Sequence, residues 1–192
     1  MSSYPKRVVN MAALGQECCV CQPACFFKRE VLESVGPLDS DLHFAFDYDL
    51  WIRMAKRYSF QHVPEHLATA RMHKLSKTFR DRRKTFCEAF SVLKRHYSYV
   101  PFQWIHSYAS HVIDNQDQFF EPLRPSLFKY AISLPLGCFH NWRHMRRYWK
   151  EWRGVMTRAA LLRRVNEGWL ARALRGSARE SPSADDNISR SQ

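Results

Sequence analysis

The sequence predicts an α/β part of about 80 residues followed by a mostly helical, basic part. Before residue 80, short runs rich in β-branched and aromatic residues alternate with runs whose apolar residues recur at helical spacing. After residue 80, the apolar residues keep the helical spacing and lie among Lys and Arg. With 192 residues, 45% of them hydrophobic and 25% charged, the chain has the composition of a globular protein, which excludes collagen-like and low-complexity proteins.

The α/β part opens with a strand, a helix and a turn, in that order. Val20–Phe27 is predicted as a strand, and Lys28–Val35 as a helix that ends at Gly36, because glycine is a preferred residue after a helix. Three further elements complete this part, namely a helix over Asp47–Lys56 and two short strands over Tyr58–Val63 and Leu67–Met72.

The second part is predicted to consist of helices that are interrupted at prolines. Phe86, Phe90 and Leu93 recur at helical spacing within Arg80–His96. The last stretch, residues 176–192, is polar and is predicted to be disordered. We therefore expect three regions, residues 1–80, residues 81–175 and residues 176–192.

Thirty Lys and Arg against 18 Asp and Glu give a net charge of +12, which favours an anionic partner. Ten of the basic residues, with two Glu, lie between Arg143 and Arg175 among several Trp and Leu. This basic aromatic segment, Trp142–Arg175, has three interpretations: a helix on an anionic membrane surface, a packing helix with a solvated charged face, or a nucleic-acid-binding helix. No recognised nucleic-acid-binding module accompanies it, which disfavours nucleic acid as a partner.

Four of the six cysteines lie close together, as Cys18, Cys19, Cys21 and Cys25. The spacing from Cys18 to Cys21 is that of a zinc-ligand pair. Because no second pair of ligands follows at a suitable spacing, reduced cysteines in a protein core are favoured over a thiolate metal site.

A transmembrane helix is not predicted. The longest uncharged apolar run, Tyr130–Phe139, has about half the length that a spanning helix needs. The N-terminal residues also lack the apolar stretch of a signal peptide. The chain is therefore predicted to be cytosolic.

Four blocks of the sequence appear in the order of a known enzyme family. They are Cys21–Asp39, Phe46–Arg53, Val63–Ala68 and Arg71–Thr78, the last being an Arg-x-His segment with a Ser shortly after it. Together these blocks, over about sixty residues, resemble the C-terminal half of the catalytic domain of family 2 inverting glycosyltransferases, which have the GT-A fold. The resemblance implies a partial GT-A, Rossmann-like domain with few strands, followed by a helical extension.

The resemblance assigns a role to each matching residue. Asp47 would be the base that takes a proton from the acceptor hydroxyl, and the start of a helix would keep its carboxylate ionised. The alternative role of Asp47 is a helix N-cap. His73 would complete a metal site or contact the diphosphate, or else be a surface histidine. Asp49 is expected to form local hydrogen bonds, and Arg53 an ion pair or a diphosphate contact. The full set of candidate acceptor-binding and donor-binding residues is Gln22, Pro23, Asp49, Arg53, Arg71 and Lys77.

Two features of the family have no counterpart in the sequence. A nucleotide-binding half and a separate Asp-x-Asp motif, whose carboxylates would hold Mg or Mn, are both missing, and Phe46 stands where the family has Glu. The resemblance therefore implies a fragment with little turnover alone. Its substrates would be a nucleotide sugar and a glycan or lipid-linked acceptor of cell-envelope or polysaccharide synthesis, in the cytoplasm or at the inner face of a membrane. The alternative is a non-catalytic remnant or a module that binds membranes or partners through the basic helices, and the oligomeric state stays open.

Overall fold

The computed structural model describes residues 8–69, 73, 75–115 and 126–158, and these are mainly helical. Two 3-10 turns, Gln22–Ala24 and Trp142–His144, lie between longer elements. Residues 145–158 are helical as well. The α-helices before them are α1 (Met11–Gln16), α2 (Arg29–Val35), α3 (Phe46–Ala55), α4 (Lys77–Arg80), α5 (Arg82–Tyr97), α6 (Phe102–Asp114) and α7 (Leu127–His140).

The predicted α/β fold is wrong, because the residues that the structure describes contain helices and no β-strand. Val20–Phe27 has a 3-10 turn at its centre, flanked by extended backbone at Cys21 (φ −82°, ψ 100°) and Cys25 (φ −101°, ψ 124°). Tyr58–Val63 is irregular, as are residues 67–69, and the rest of that last predicted strand lies outside the described residues. A strand is stabilised by a hydrogen-bonded neighbour, and no described segment supplies one. The described ranges therefore contain no partial Rossmann-like sheet.

Three helix predictions are confirmed. α2 ends at Val35, and Gly36 follows it with φ +85°, a backbone conformation that favours glycine. α3 begins one residue before the predicted Asp47. The helix predicted over Arg80–His96 corresponds to α5, which the short α4 precedes. In α5 the apolar residues at helical spacing are buried, α3 is buried around most of its circumference, and the apolar residues of α2 are half-buried.

α3 packs against α1, α2 and α5. Its buried apolar side chains are Tyr48, Leu50, Trp51, Ile52 and Met54. α5 adds buried apolar side chains on its own inner face and packs on α6, which in turn packs on α7. Because removing these apolar side chains from water stabilises the packed helices, this core fixes the position of the first turn of α3.

The chain divides into two compact units, Met1–Trp149 and Lys150–Gln192. In the second unit, residues 150–158 are described and are helical. The boundaries predicted near residues 80 and 175 stay predictions, and the predicted disordered tail lies outside the described residues. Within the described ranges, no helix combines the length and the apolar content that crossing a bilayer requires.

Candidate functional site

Asp47 lies in the first turn of α3 and is half-buried. Its Oδ1 accepts a hydrogen bond from the Tyr48 N–H at 2.7 Å, and it forms no ion pair with a described residue. Burial raises the pKa of the Asp47 carboxyl, and hydrogen bonds from backbone N–H groups oppose this change without cancelling it. The expected stabilisation of the charged form by the helix start is thus outweighed. The result is a carboxylate without a cationic partner and with a raised proton affinity, as a general base requires.

The charge of Asp47 affects the pKa of the Cys18 thiol. Burial raises the pKa of the Cys18 thiol strongly, and the negative charge of Asp47 raises it further. Cys18 is therefore a neutral thiol near Asp47, which suits neither a nucleophile nor a metal ligand. Of the clustered cysteines, Cys19 is buried and Cys18, Cys21 and Cys25 are partly exposed, and none forms a disulfide.

Glu88 of α5 caps the start of α3. Its Oε2 accepts hydrogen bonds from three consecutive backbone N–H groups, those of His43 (2.9 Å), Phe44 (2.7 Å) and Ala45 (3.1 Å). Ala45, the N-cap residue of α3, has no side chain that could cap the helix. Sequence reasoning missed Glu88, although the absence of a local capping side chain before α3 is a signal that a distant acceptor is needed.

Asp49 lies at the centre of a buried polar network. Its Oδ2 accepts a hydrogen bond from Arg53 Nε at 2.8 Å, and its Oδ1 lies 2.7 Å from His96 Nε2 and 3.3 Å from an Arg95 guanidinium nitrogen. Burial favours the neutral carboxyl, but the hydrogen bonds from His96 and Arg53 and their charges outweigh burial and lower the pKa of Asp49 to about 2. His96 Nδ1 also lies 2.8 Å from the Lys56 ammonium. These contacts join α3 to α5, and the bond to Arg53 is the local contact that the sequence predicts.

Arg53 links α3 to the end of α2. Beyond Asp49, its Nη1 donates to the Val35 and Gly36 carbonyls at 2.6 and 2.9 Å, and its Nη2 donates to the Pro37 carbonyl at 2.9 Å. The guanidinium thus satisfies carbonyls that α2 leaves unpaired at its C-terminus. Of the two roles expected for Arg53, the structure places it as an ion-pair partner.

Lys77 lies on the edge of a basic cleft. Its Nζ donates to the His43 carbonyl at 2.9 Å and is 4.9 Å from the centre of the Phe44 ring. The cleft has a volume of about 590 Å³, and its lining contains four Lys and Arg and two acids: His43, Phe44, Lys77, Arg80, Asp81, Arg83, Lys84, Cys87 and Glu88. The cleft therefore borders the segment that leads into α3 and presents a net positive lining.

The other predicted site residues are not joined to Asp47. Gln22 and Pro23 form an exposed 3-10 turn, His73 is exposed, and Arg71 lies outside the described residues. No hydrogen bond or ion pair between described residues connects Gln22, Pro23 or His73 to Asp47.

The described residues do not fit the divalent metal that the resemblance implies. A divalent cation needs several oxygen or nitrogen ligands that converge on one point. Among the described ranges, no three side chains of His, Cys, Asp or Glu are grouped in this way, and His73 has no such companion.

A second basic surface follows α7. Trp142, Arg143, His144, Met145, Arg146 and Arg147 line a depression of about 400 Å³. The Arg143 guanidinium lies 5.0 Å from the Trp142 ring centre, and that of Arg147 lies 4.0 Å from the Tyr99 ring centre. This basic aromatic turn, residues 142–147, is the described start of the segment with three interpretations, of which residues 159–175 lie outside the described ranges.

Three features of the described residues could take part in chemistry or binding, namely the Asp47 carboxylate, the basic cleft beside Lys77 and the basic aromatic turn. The carboxylate can accept a proton, and the two basic surfaces can attract anions. Comparison of the chain with protein-family models, with curated proteins and with solved structures finds no match.

Proposed function

We propose that this chain is the acceptor-side part of an inverting family 2 glycosyltransferase, with Asp47 as its general base. The observation that carries the proposal is the state of Asp47, a half-buried carboxylate at a helix start, without an ion pair and with a pKa raised by burial. Asp49, two residues later, is held in the core by Arg53 and His96, so it is not available for the same role.

In the proposed reaction, an oxygen of the acceptor hydroxyl attacks the anomeric carbon of a nucleotide sugar from the face opposite the diphosphate. The new glycosidic C–O bond forms as the bond to the diphosphate breaks, and the hydroxyl proton passes to the Asp47 carboxylate. A raised pKa makes this carboxylate a stronger base than an exposed aspartate. The proposed acceptor is a glycan or a lipid-linked glycan. The reaction is proposed to take place in the cytoplasm or at the inner face of a membrane.

The test is release of nucleoside diphosphate from a panel of nucleotide sugars, measured with the native gene product and candidate glycan acceptors. Asp47→Asn keeps the size of the side chain and removes the base, so we expect transfer to fall about 10²- to 10⁴-fold. Asp41→Asn is the matched control, because Asp41 is an exposed aspartate of the loop before α3. Full turnover by Asp47→Asn would refute the role of Asp47.

A second candidate function is a binding module for anionic surfaces, and the basic aromatic turn favours it. Trp142 is 67% exposed and stands beside Arg143, while Arg146 and Arg147 complete the lining of the same depression. Exposed Trp and Arg side chains together suit the interface of an anionic membrane. Binding to lipid vesicles that ignores both their anionic lipid content and the salt concentration would count against this function.

A further inference from the structure

Helix α7 buries its polar side and exposes its apolar side. The buried residues of this helix are Lys129, Ser133 and Gly137, which are four residues apart and therefore share one face. Each has a reason to be inside. Lys129 Nζ forms an ion pair with Asp114 at 2.6 Å, the Ser133 carbonyl accepts a hydrogen bond from the Tyr148 hydroxyl at 2.8 Å, and Gly137 lies against the Tyr148 ring.

The opposite face of α7 is apolar and faces outward. Leu127, Phe128 and Phe139 are 70%, 60% and 76% exposed, and Ala131 and Pro135 on the same side are exposed as well. The helix has no charged side chain except the buried Lys129 and no Asp or Glu at all. An apolar helix face of this kind is unfavourable in water, and it marks an interaction surface.

Cations follow this face directly along the chain. Three residues after Phe139, the basic aromatic turn begins with the exposed Trp142, and Met145 is half-exposed. Arg143 and Arg146 are exposed within the same turn, and no acidic residue lies between Leu127 and Lys150. The turn that follows α7 in the chain therefore adds a Trp and guanidinium groups to the apolar side chains of this helix.

We infer that the outward face of α7 and the basic aromatic turn together form a docking surface for an anionic phospholipid bilayer. Apolar side chains enter the boundary between headgroups and acyl chains, and the Arg side chains contact lipid phosphates. With 14 residues, α7 is about 21 Å long, so it lies in the plane of the bilayer and does not cross it. A second copy of this chain fits the surface less well, because it would bring the same arginines together.

This inference rests on the second proposed function, binding to anionic surfaces, and names the surface that carries it. It does not depend on glycosyl transfer. The test is sedimentation of the full chain with phosphatidylcholine vesicles, with and without about 30% phosphatidylglycerol, at about 50 and 500 mM salt. The chain is expected to bind the anionic vesicles at low salt.

Two double variants separate the apolar and the charged contributions. Phe128→Ser with Phe139→Ser is expected to lower the vesicle partition coefficient about tenfold, because two exposed rings lose their burial in lipid. Arg143→Gln with Arg146→Gln is expected to lower it about tenfold on anionic vesicles and to leave binding to neutral vesicles unchanged. Phe26→Ser is the matched control, since Phe26 is 78% exposed outside this surface and its loss should have no effect.

A second measurement is the quenching of Trp fluorescence by brominated lipids. Lipids brominated near the headgroup should quench Trp emission of the bound chain, and Trp142→Phe should remove most of that quenching. Unchanged partitioning of the Phe128→Ser, Phe139→Ser variant would overturn this docking surface and leave the second proposed function standing. Failure of the wild-type chain to bind anionic vesicles at low salt would overturn both.

Discussion

The cap that Glu88 provides for α3 is expected to contribute strongly to stability. Glu88→Ala removes one acceptor and leaves the N–H groups of His43, Phe44 and Ala45 without their hydrogen-bond partner. A hydrogen bond to a charged group contributes about 1.5 to 3 kcal/mol, and three donors that share one oxygen are not additive, so we expect a loss of about 3 kcal/mol. For a chain of this length, that loss lowers the Tm by roughly 6 to 12 °C.

The assay is thermal unfolding followed by helical circular dichroism, with urea unfolding as an independent measure. Glu33→Ala is the matched control, because Glu33 forms an exposed i,i+4 pair with Arg29 at 3.6 Å, and such pairs contribute little. Glu88→Gln should lie between the control and Glu88→Ala, since the amide oxygen still accepts hydrogen bonds without the charge. A Tm for Glu88→Ala equal to that of Glu33→Ala would refute the capping role.

Two further predictions concern the core. Gly137→Ala should destabilise the fold by about 3 kcal/mol, because a Cβ there would lie 1.8 Å from the buried Tyr148 ring. Gly154→Ala is the control and should not destabilise the fold, because Gly154 has open space around it. Urea unfolding measures the stability of both variants. The pKa of Asp49 is lowered to about 2, so its contribution to stability is present above the unfolded pKa of about 4 and is lost as the pH falls from there toward 2. When the free energy of unfolding is measured as a function of pH, the wild type should lose about 2 kcal/mol over this range and Asp49→Asn should not. An equal dependence of the unfolding free energy on pH in both proteins would contradict this prediction.

Local patterns were sufficient to predict several helices. The spacing of apolar residues in α5 reports which side of that helix is buried, and Gly36 marks the end of α2 because its backbone needs a positive φ. The same patterns placed Asp47 at the start of a helix. Its role in catalysis stays a prediction, because a carboxylate at that position can also serve as an ordinary structural residue.

The predicted strands failed for a physical reason. Val20–Phe27 and Tyr58–Val63 have the residue types of strands, and the backbone is extended at Cys21 and Cys25, but a ladder needs a second segment at hydrogen-bonding distance. Whether such a segment is present depends on contacts between distant parts of the chain, and composition carries no information about them. The resemblance to a GT-A domain implied a β-sheet, and the described residues do not form one.

Local sequence rules therefore account for α2, α3 and α5, because these helices depend on residues within a few positions of each other, but not for α7, which continues through Pro135. The cap by Glu88, the burial of Asp49 with His96 and the orientation of α7 depend on residues that are distant in sequence. In α7, an apolar composition predicts burial, yet the ion pair of Lys129 with Asp114 and the close contact of Gly137 with Tyr148 turn the polar side inward. Long-range pairing and packing energies set that orientation, and with it which side of α7 faces outward.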